Sequence, residues 1–171
     1  MEENRLESPD IIYLFLDIDG VLATTHQYLT NRKKWNPEYN RYKFDEGCVK
    51  VFNQILEKHP MTIVISSDWK LNYSLEALNR IFEINNVKAK VLDITPNLWG
   101  VEYFSLSQLE ECRSREIIKY VMENQIKKFW AIDDLDLSKW LPDNFIHTPR
   151  ANEGIKQSGI KDKIYKLINQ L

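Results

Sequence analysis

The sequence predicts an α/β fold: a three-layer, Rossmann-like parallel sheet of about five strands. Three observations point there. Short apolar runs of strand length alternate with longer segments of helical period. Three of those runs stop abruptly at polar residues, Asp17, Ser66 and Asp133. Strands separated by helices imply parallel pairing through right-handed crossovers, which gathers their C-terminal ends on one edge. Open α/β sheets bind ligands at that edge.

Residues 1–10 read as a frayed terminus. Ile11 to Leu16 (IIYLFL) is an unbroken apolar run, as in a strand buried on both faces, and ends in Asp17-Ile18-Asp19-Gly20. Residues 21–44 show no period and read as an irregular insertion. Residues 45–58 place Val49, Phe52, Ile55 and Leu56 at helical spacing. Met61 to Ile65 is a second strand, stopping at Ser66-Ser67-Asp68. Residues 74–84 form a helix with Ser74 as N-cap, and 87–92 a third strand. Ser107 to Asn124 is helical, with a capping box at Ser107-x-x-Glu110 and an interruption near Arg113. Phe129 to Ile132 is a fourth strand, ending in Asp133-Asp134, and residues 144–147 a fifth. Residues 153–170 close the chain as a helix with Ile160, Ile164 and Leu167 on one face. With no repeat or linker, residues 1–171 form one domain and 21–44 a small insertion.

Composition narrows the function classes. Apolar residues make up 43% and charged residues 28%, an ordinary globular balance. The 23 basic and 25 acidic residues leave a net charge of -2, with no global pull toward nucleic acid or anionic membranes. Cys48 and Cys112 are too few for a disulfide scaffold and read as reduced, semi-buried helix residues. No signal peptide is visible, and no apolar run approaches the ~20 residues of a membrane span. The expected location is cytoplasmic, with no membrane partner.

The strand ends carry the chemistry. Carboxylates at i and i+2 on an extended segment point the same way, so Asp17 and Asp19 share a pocket. Buried like charges repel, and a divalent cation compensates them. Asp133 and Asp134 add carboxylates from another strand end. An oxygen-only set without Cys or paired His favours magnesium over zinc. Phosphoryl transfer needs a nucleophile, charge neutralisation and donors to the equatorial oxygens. Asp17 is the candidate for the first, and Ser66 and Ser67 with nearby amides for the last. Arg113, Arg115 and Lys119 are candidates for a completing cation. A calcium loop lacks its later ligands after Asp17-x-Asp19, and neither a nucleophile elbow nor a P-loop is present.

In these motifs the chain resembles the haloacid dehalogenase (HAD) superfamily. FLDIDGV is similar to its first motif, IVISSDWK to its second and WAIDD to its fourth, in order over residues 11–134. A small, minimally capped subgroup shares Ser66-Ser67-Asp68-Trp69 and Arg113-Ser114-Arg115-Glu116-Ile117. The resemblance implies a magnesium-dependent phosphatase. Asp17 attacks phosphorus to form an aspartyl phosphate. Asp19 protonates the leaving group, then activates water, and its carbonyl ligates magnesium. Ser66, with Ser67 beside it, binds phosphoryl oxygens. Asp134 ligates magnesium, and Asp133 does so directly or through water. The third-motif cation stays open between Arg113, which fits the subgroup best, Arg115 and Lys119.

The resemblance also implies a small insertion at 21–44 in place of a large cap. That segment intersperses Tyr28, Trp35, Tyr39 and Tyr42 with Arg32, Lys33, Lys34, Arg41 and Lys43. Aromatic and basic residues together suit a nucleotide or nucleic-acid end, although the same residues serve equally as a solvated loop packed on the core. The expected substrate is a phosphorylated metabolite, a nucleotide or a nucleic-acid end. The alternative is a non-catalytic HAD-like domain that binds a phosphorylated partner. Oligomeric state is not legible.

Overall fold

The computed structural model describes residues 11–25, 43–98 and 105–171. The strands are β1 (Ile12–Leu16), β2 (Thr62–Ile65), β3 (Val91–Ile94), β4 (Lys128–Asp133) and β5 (Phe145–His147). The helices are α1 (Glu46–Lys58), α2 (Leu75–Ile84), α3 (Leu106–Glu123) and α4 (Ile160–Ile168). Short 3-10 turns cover Asp68–Leu71 and Gly154–Lys156. The sheet is ordered β3-β2-β1-β4-β5, and every neighbouring pair is parallel. The α/β, Rossmann-like expectation is thus met.

Strand alternation builds the three layers. On β1, Leu14 and Leu16 enter a core shared with Phe52 of α1, Phe82 of α2 and Ile164 of α4. Phe15 enters a second core on the opposite face, with Ile117 and Tyr120 of α3. Its ring meets Tyr120 edge-on at 5.6 Å. The same parity carried past the strand ends puts Asp17 with Phe15, and Asp133 with Ala131, on the α3 side. That places both carboxylates under α3, where Arg113 lies one turn before Ile117.

Several boundaries differ from expectation, each for a local reason. β3 begins at Val91, not residue 87. Val87 is buried beyond the end of α2, so its apolarity marked packing and not a strand. Asn79 bonds both the amide and the carbonyl of Val91, at 2.8 and 3.0 Å. α3 is capped by Ser105, whose hydroxyl accepts from the Gln108 amide at 3.3 Å. The capping box is therefore Ser105-x-x-Gln108, two residues earlier than Ser107-x-x-Glu110. α3 is unbroken at Arg113, and the Ser114 hydroxyl bonds back to Glu110 O at 2.8 Å. The closing helix is split, because Gly159 takes a left-handed φ of 83° before α4. Val21, Leu22 and Phe44, assigned to the insertion, lie in the main core. Residues 26–42 fall outside the described residues, as does the reading of their aromatics and cations. No helix among the described residues is long and apolar enough to cross a membrane.

Candidate active site

β1, β2 and β4 end side by side, as their registers require. Asp17 continues the β1–β4 ladder by donating its amide to Ile132 O at 3.0 Å, and Ser66 donates to Leu16 O at 3.0 Å. A cleft of about 130 Å³ opens at these ends. Asp17, Asp19, Ser67, Asp68, Arg113, Asp133 and Asp134 line it, with Leu109 and Leu135. A larger hollow of about 550 Å³ near Phe44, Val49 and Asn85 holds no convergent carboxylates, so size does not select the site.

Carboxylate oxygens of Asp17, Asp133 and Asp134 all lie within 4.8 Å of one another. Burial raises the Asp17 pKa well above the ordinary carboxylate value, and the Asp133 charge raises it further. The Arg113 guanidinium and the Ser67 hydroxyl oppose that rise. Burial pushes Asp133 up to about 6, against the pull of Arg113 and the Leu135 amide. Asp134 is raised by burial and then by Asp19. Such a set is short of positive charge, and a divalent cation is the chemistry that corrects it. The oxygen-only donors fit a hard cation.

Arg113 is the cation under this cluster. Its Nη1 donates to Asp133 Oδ2 at 2.8 Å and Asp17 Oδ1 at 3.2 Å, and Nη2 donates to Asp68 Oδ1 at 2.5 Å. Burial alone would lower its pKa, but Asp133, Asp17, Asp68 and Glu116 outweigh that and hold it charged. Arg115 and Lys119 are exposed, and Lys119 pairs instead with Glu123. Of the three candidate cations, the structure brings Arg113 to the cleft and leaves Arg115 and Lys119 away from it. A position inside a helix is no obstacle, because that helix packs its Arg113 face over β1.

Asp19 reaches the cleft surface, and its Oδ2 accepts from the Trp69 indole N–H at 2.8 Å. Burial by flanking groups raises its pKa, and the Trp69 bond opposes the shift. The two serines part company. Ser67 lines the cleft and caps the 3-10 turn. Ser66 is fully buried, is absent from the cleft wall, and its hydroxyl has no hydrogen-bond partner. Of the two serines expected to bind phosphate, the structure thus brings Ser67 and not Ser66 to the cleft wall.

Three supporting residues escaped the sequence reading. Lys70, almost wholly buried, donates to Thr95 Oγ1 at 2.9 Å and pairs with Glu116. Glu116, fully buried, also accepts from the Leu98 amide at 2.9 Å. Its spacing of three from Arg113 was the available signal. Thr148, which no sequence signal marked, donates its hydroxyl to Gly20 O at 3.1 Å and its amide to Asp133 O at 2.9 Å, tying the end of β5 to both acidic loops.

A family described as the HAD domain in Swiss Army Knife RNA repair proteins matches residues 13–158. The HAD domain of effector protein Lem4 from Legionella pneumophila, solved as an inactive mutant, superposes with a TM-score of 0.50. It is 14% identical, and the alignment covers 93% of each chain, a likeness of fold. No curated protein matches the chain.

Proposed function

The chain belongs to the family of HAD domains in Swiss Army Knife RNA repair proteins, and on that footing we propose that it is a magnesium-dependent phosphomonoesterase. The observation that carries the reading is Asp17. It is a buried carboxylate at a strand end, 3.2 Å from a buried arginine and facing a cleft lined by further carboxylates.

Asp17, Asp133 and Asp134 would hold the cation, with the Asp19 carbonyl that the superfamily pattern adds. Both Asp133 oxygens are already engaged, by Arg113 and the Leu135 amide, which favours contact through water. A bound magnesium would supply charge neutralisation for the transferring phosphoryl oxygens. An Asp17 oxygen forms a bond to phosphorus as the bond to the leaving oxygen breaks. The Asp19 carboxylic acid gives its proton to that oxygen. Asp19 then takes a proton from water, whose oxygen attacks phosphorus and releases Asp17 and inorganic phosphate. Ser67 and the adjoining amides bind phosphoryl oxygens, and Arg113 steadies Asp17. The family's description supports a phosphorylated RNA end as substrate. The small volume at the strand ends suits one phosphoryl group with the rest of the substrate outside.

Phosphate release tests this, using p-nitrophenyl phosphate and RNA oligonucleotides with a 3′- or 5′-terminal phosphate. Magnesium should support turnover and chelation should stop it. Asp17→Asn should reduce it by roughly three orders of magnitude, as loss of a covalent catalyst does. Full activity in folded Asp17→Asn protein overturns the mechanism. Binding of phosphorylated RNA without release by the wild type would favour a non-catalytic binding domain.

A further inference from the structure

We propose that Trp69 is a positioning residue for proton transfer: its indole N–H fixes which oxygen of Asp19 carries the proton. This rests on the reading of Asp19 as general acid and base. The indole N–H donates to Asp19 Oδ2 at 2.8 Å. Trp nitrogen is donor-only, so it bonds an acceptor and disfavours a proton on that same oxygen. The proton of the acid form therefore resides on Oδ1. Among the described residues no hydrogen bond engages Oδ1, and Asp19 itself lines the cleft while Trp69 does not. The arrangement leaves the proton-bearing oxygen for the leaving group and the other anchored in protein.

The anchor is rigid. Trp69 is nearly buried, in the 3-10 turn that follows β2. Its ring packs at 5.9 Å from Phe44 and 5.7 Å from Tyr73. Among the described residues, the Trp69 bond is the hydrogen bond that holds the exposed Asp19 carboxyl on the loop after β1. A catalytic group displaced by a rotamer change loses much of its effect even when it remains present. In the first step the Asp17 oxygen bonds to phosphorus and the leaving oxygen keeps the P–O electron pair. The Asp19 Oδ1 proton moves to that oxygen, and the indole proton stays on nitrogen throughout.

This assignment makes leaving-group chemistry the readout. Nitrophenolate leaves without protonation, whereas an alcohol needs a proton. Trp69→Phe keeps an aromatic ring and removes the N–H. It should lower first-turnover release of the alcohol about ten-fold or more for an alkyl phosphate such as an RNA 3′-phosphate. It should change first-turnover release of p-nitrophenolate, which precedes the water step, by less than about two-fold, with KM little altered for either substrate. Phe44→Leu, which alters core packing beside the Trp69 and Phe82 rings but leaves the indole N–H in place, should affect both substrates alike. Equal losses in first-turnover leaving-group release on both substrates for Trp69→Phe, or none on either, overturn the proposal while leaving the phosphatase reading intact. Failure of the wild type to hydrolyse either ester instead overturns that underlying reading. Indole N–H resonances give a test free of turnover and of the Trp69 variant's folding. One of the five tryptophan signals should shift upfield in Asp19→Ala, as its carboxylate acceptor is lost. No such shift means that the bond does not exist in solution.

Discussion

Gly20 sits directly against Asp134: a Cβ built on Gly20 would lie 2.5 Å from Asp134 Oδ2. Gly20 also has a φ of 69°, a conformation costing an L-residue about 1–2 kcal/mol. The glycine after Asp17-x-Asp19 thus serves two ends, turning the chain and leaving room for a carboxylate from β4. Gly20→Ala should lose at least that strain energy and push Asp134 out of the cluster. Thermal melts with and without magnesium separate the two effects. The variant should melt lower without the ion and gain less from it than the wild type. An unchanged magnesium gain would mean that Asp134 is not a ligand.

The raised carboxylates make the response to magnesium depend on pH. A carboxylate whose folded pKa exceeds its unfolded value binds more protons when folded, so its ionisation costs stability as pH rises. For Asp133 that cost develops between about 4, the unfolded value, and about 6. Asp17 and Asp134 shift in the same direction. Protons and magnesium then compete for one cluster. The rise in Tm at a fixed magnesium concentration should be larger at pH 7 than at pH 5. Equal rises at the two values would show that these carboxylates do not titrate in that window.

Away from the cleft, Asp45 carries the opposite sign. It caps α1 through the Gly47 and Cys48 amides at 2.9 and 3.1 Å. It also accepts from Lys156 at 2.5 Å and from Thr24 at 3.2 Å. Burial alone would raise its pKa, but these donors outweigh burial and hold it below the ordinary value. Its contribution is therefore present above pH ~4 and is lost as pH falls through the lowered folded value. Asp45→Ala should cost about 1–2 kcal/mol at pH 7 by denaturant unfolding, as N-cap losses do. That deficit should shrink at pH 3. A deficit independent of pH would assign the effect to packing.

Much of this architecture was legible because parallel strands buried on both faces leave unmistakable apolar runs. IIYLFL, TIVI and FWAI were visible, and their polar stops located the cleft. What was less legible depended on which face a residue takes after its strand ends. Arg113 could be placed only once α3 was known to cover the Phe15 face, since a helix interior is otherwise an unusual place for an active-site cation. Glu116 and Lys70 are charged residues in a largely buried ion pair, and composition marks such residues as surface. Strand β3 was misplaced because Val87 and Ala89 pack on the core as a loop.

The two serines after β2 give the sharpest contrast between pattern and geometry. By pattern, Ser66 stands at the strand end and takes the phosphate-binding role. By geometry, Ser66 is fully buried with an unpartnered hydroxyl, and Ser67 faces the cleft beside Asp17. A buried hydroxyl without a partner costs about 1–3 kcal/mol of desolvation. Ser66→Ala removes that group and one oxygen's volume from a packed site. It should leave stability unchanged or raise it by up to about 1 kcal/mol, with kcat/KM within about two-fold of wild type. Ser67→Ala removes a hydroxyl that caps the 3-10 turn and lowers the Asp17 pKa, and that on the proposed mechanism meets the phosphoryl group. It should reduce kcat/KM by about 10-fold or more, as loss of a transition-state donor does, with a stability loss near 1 kcal/mol. Steady-state kinetics and urea unfolding of the two alanine variants decide the matter. A large kinetic loss at Ser66 with none at Ser67 would restore the role to Ser66. It would also require the β2 end to rotate when phosphate binds.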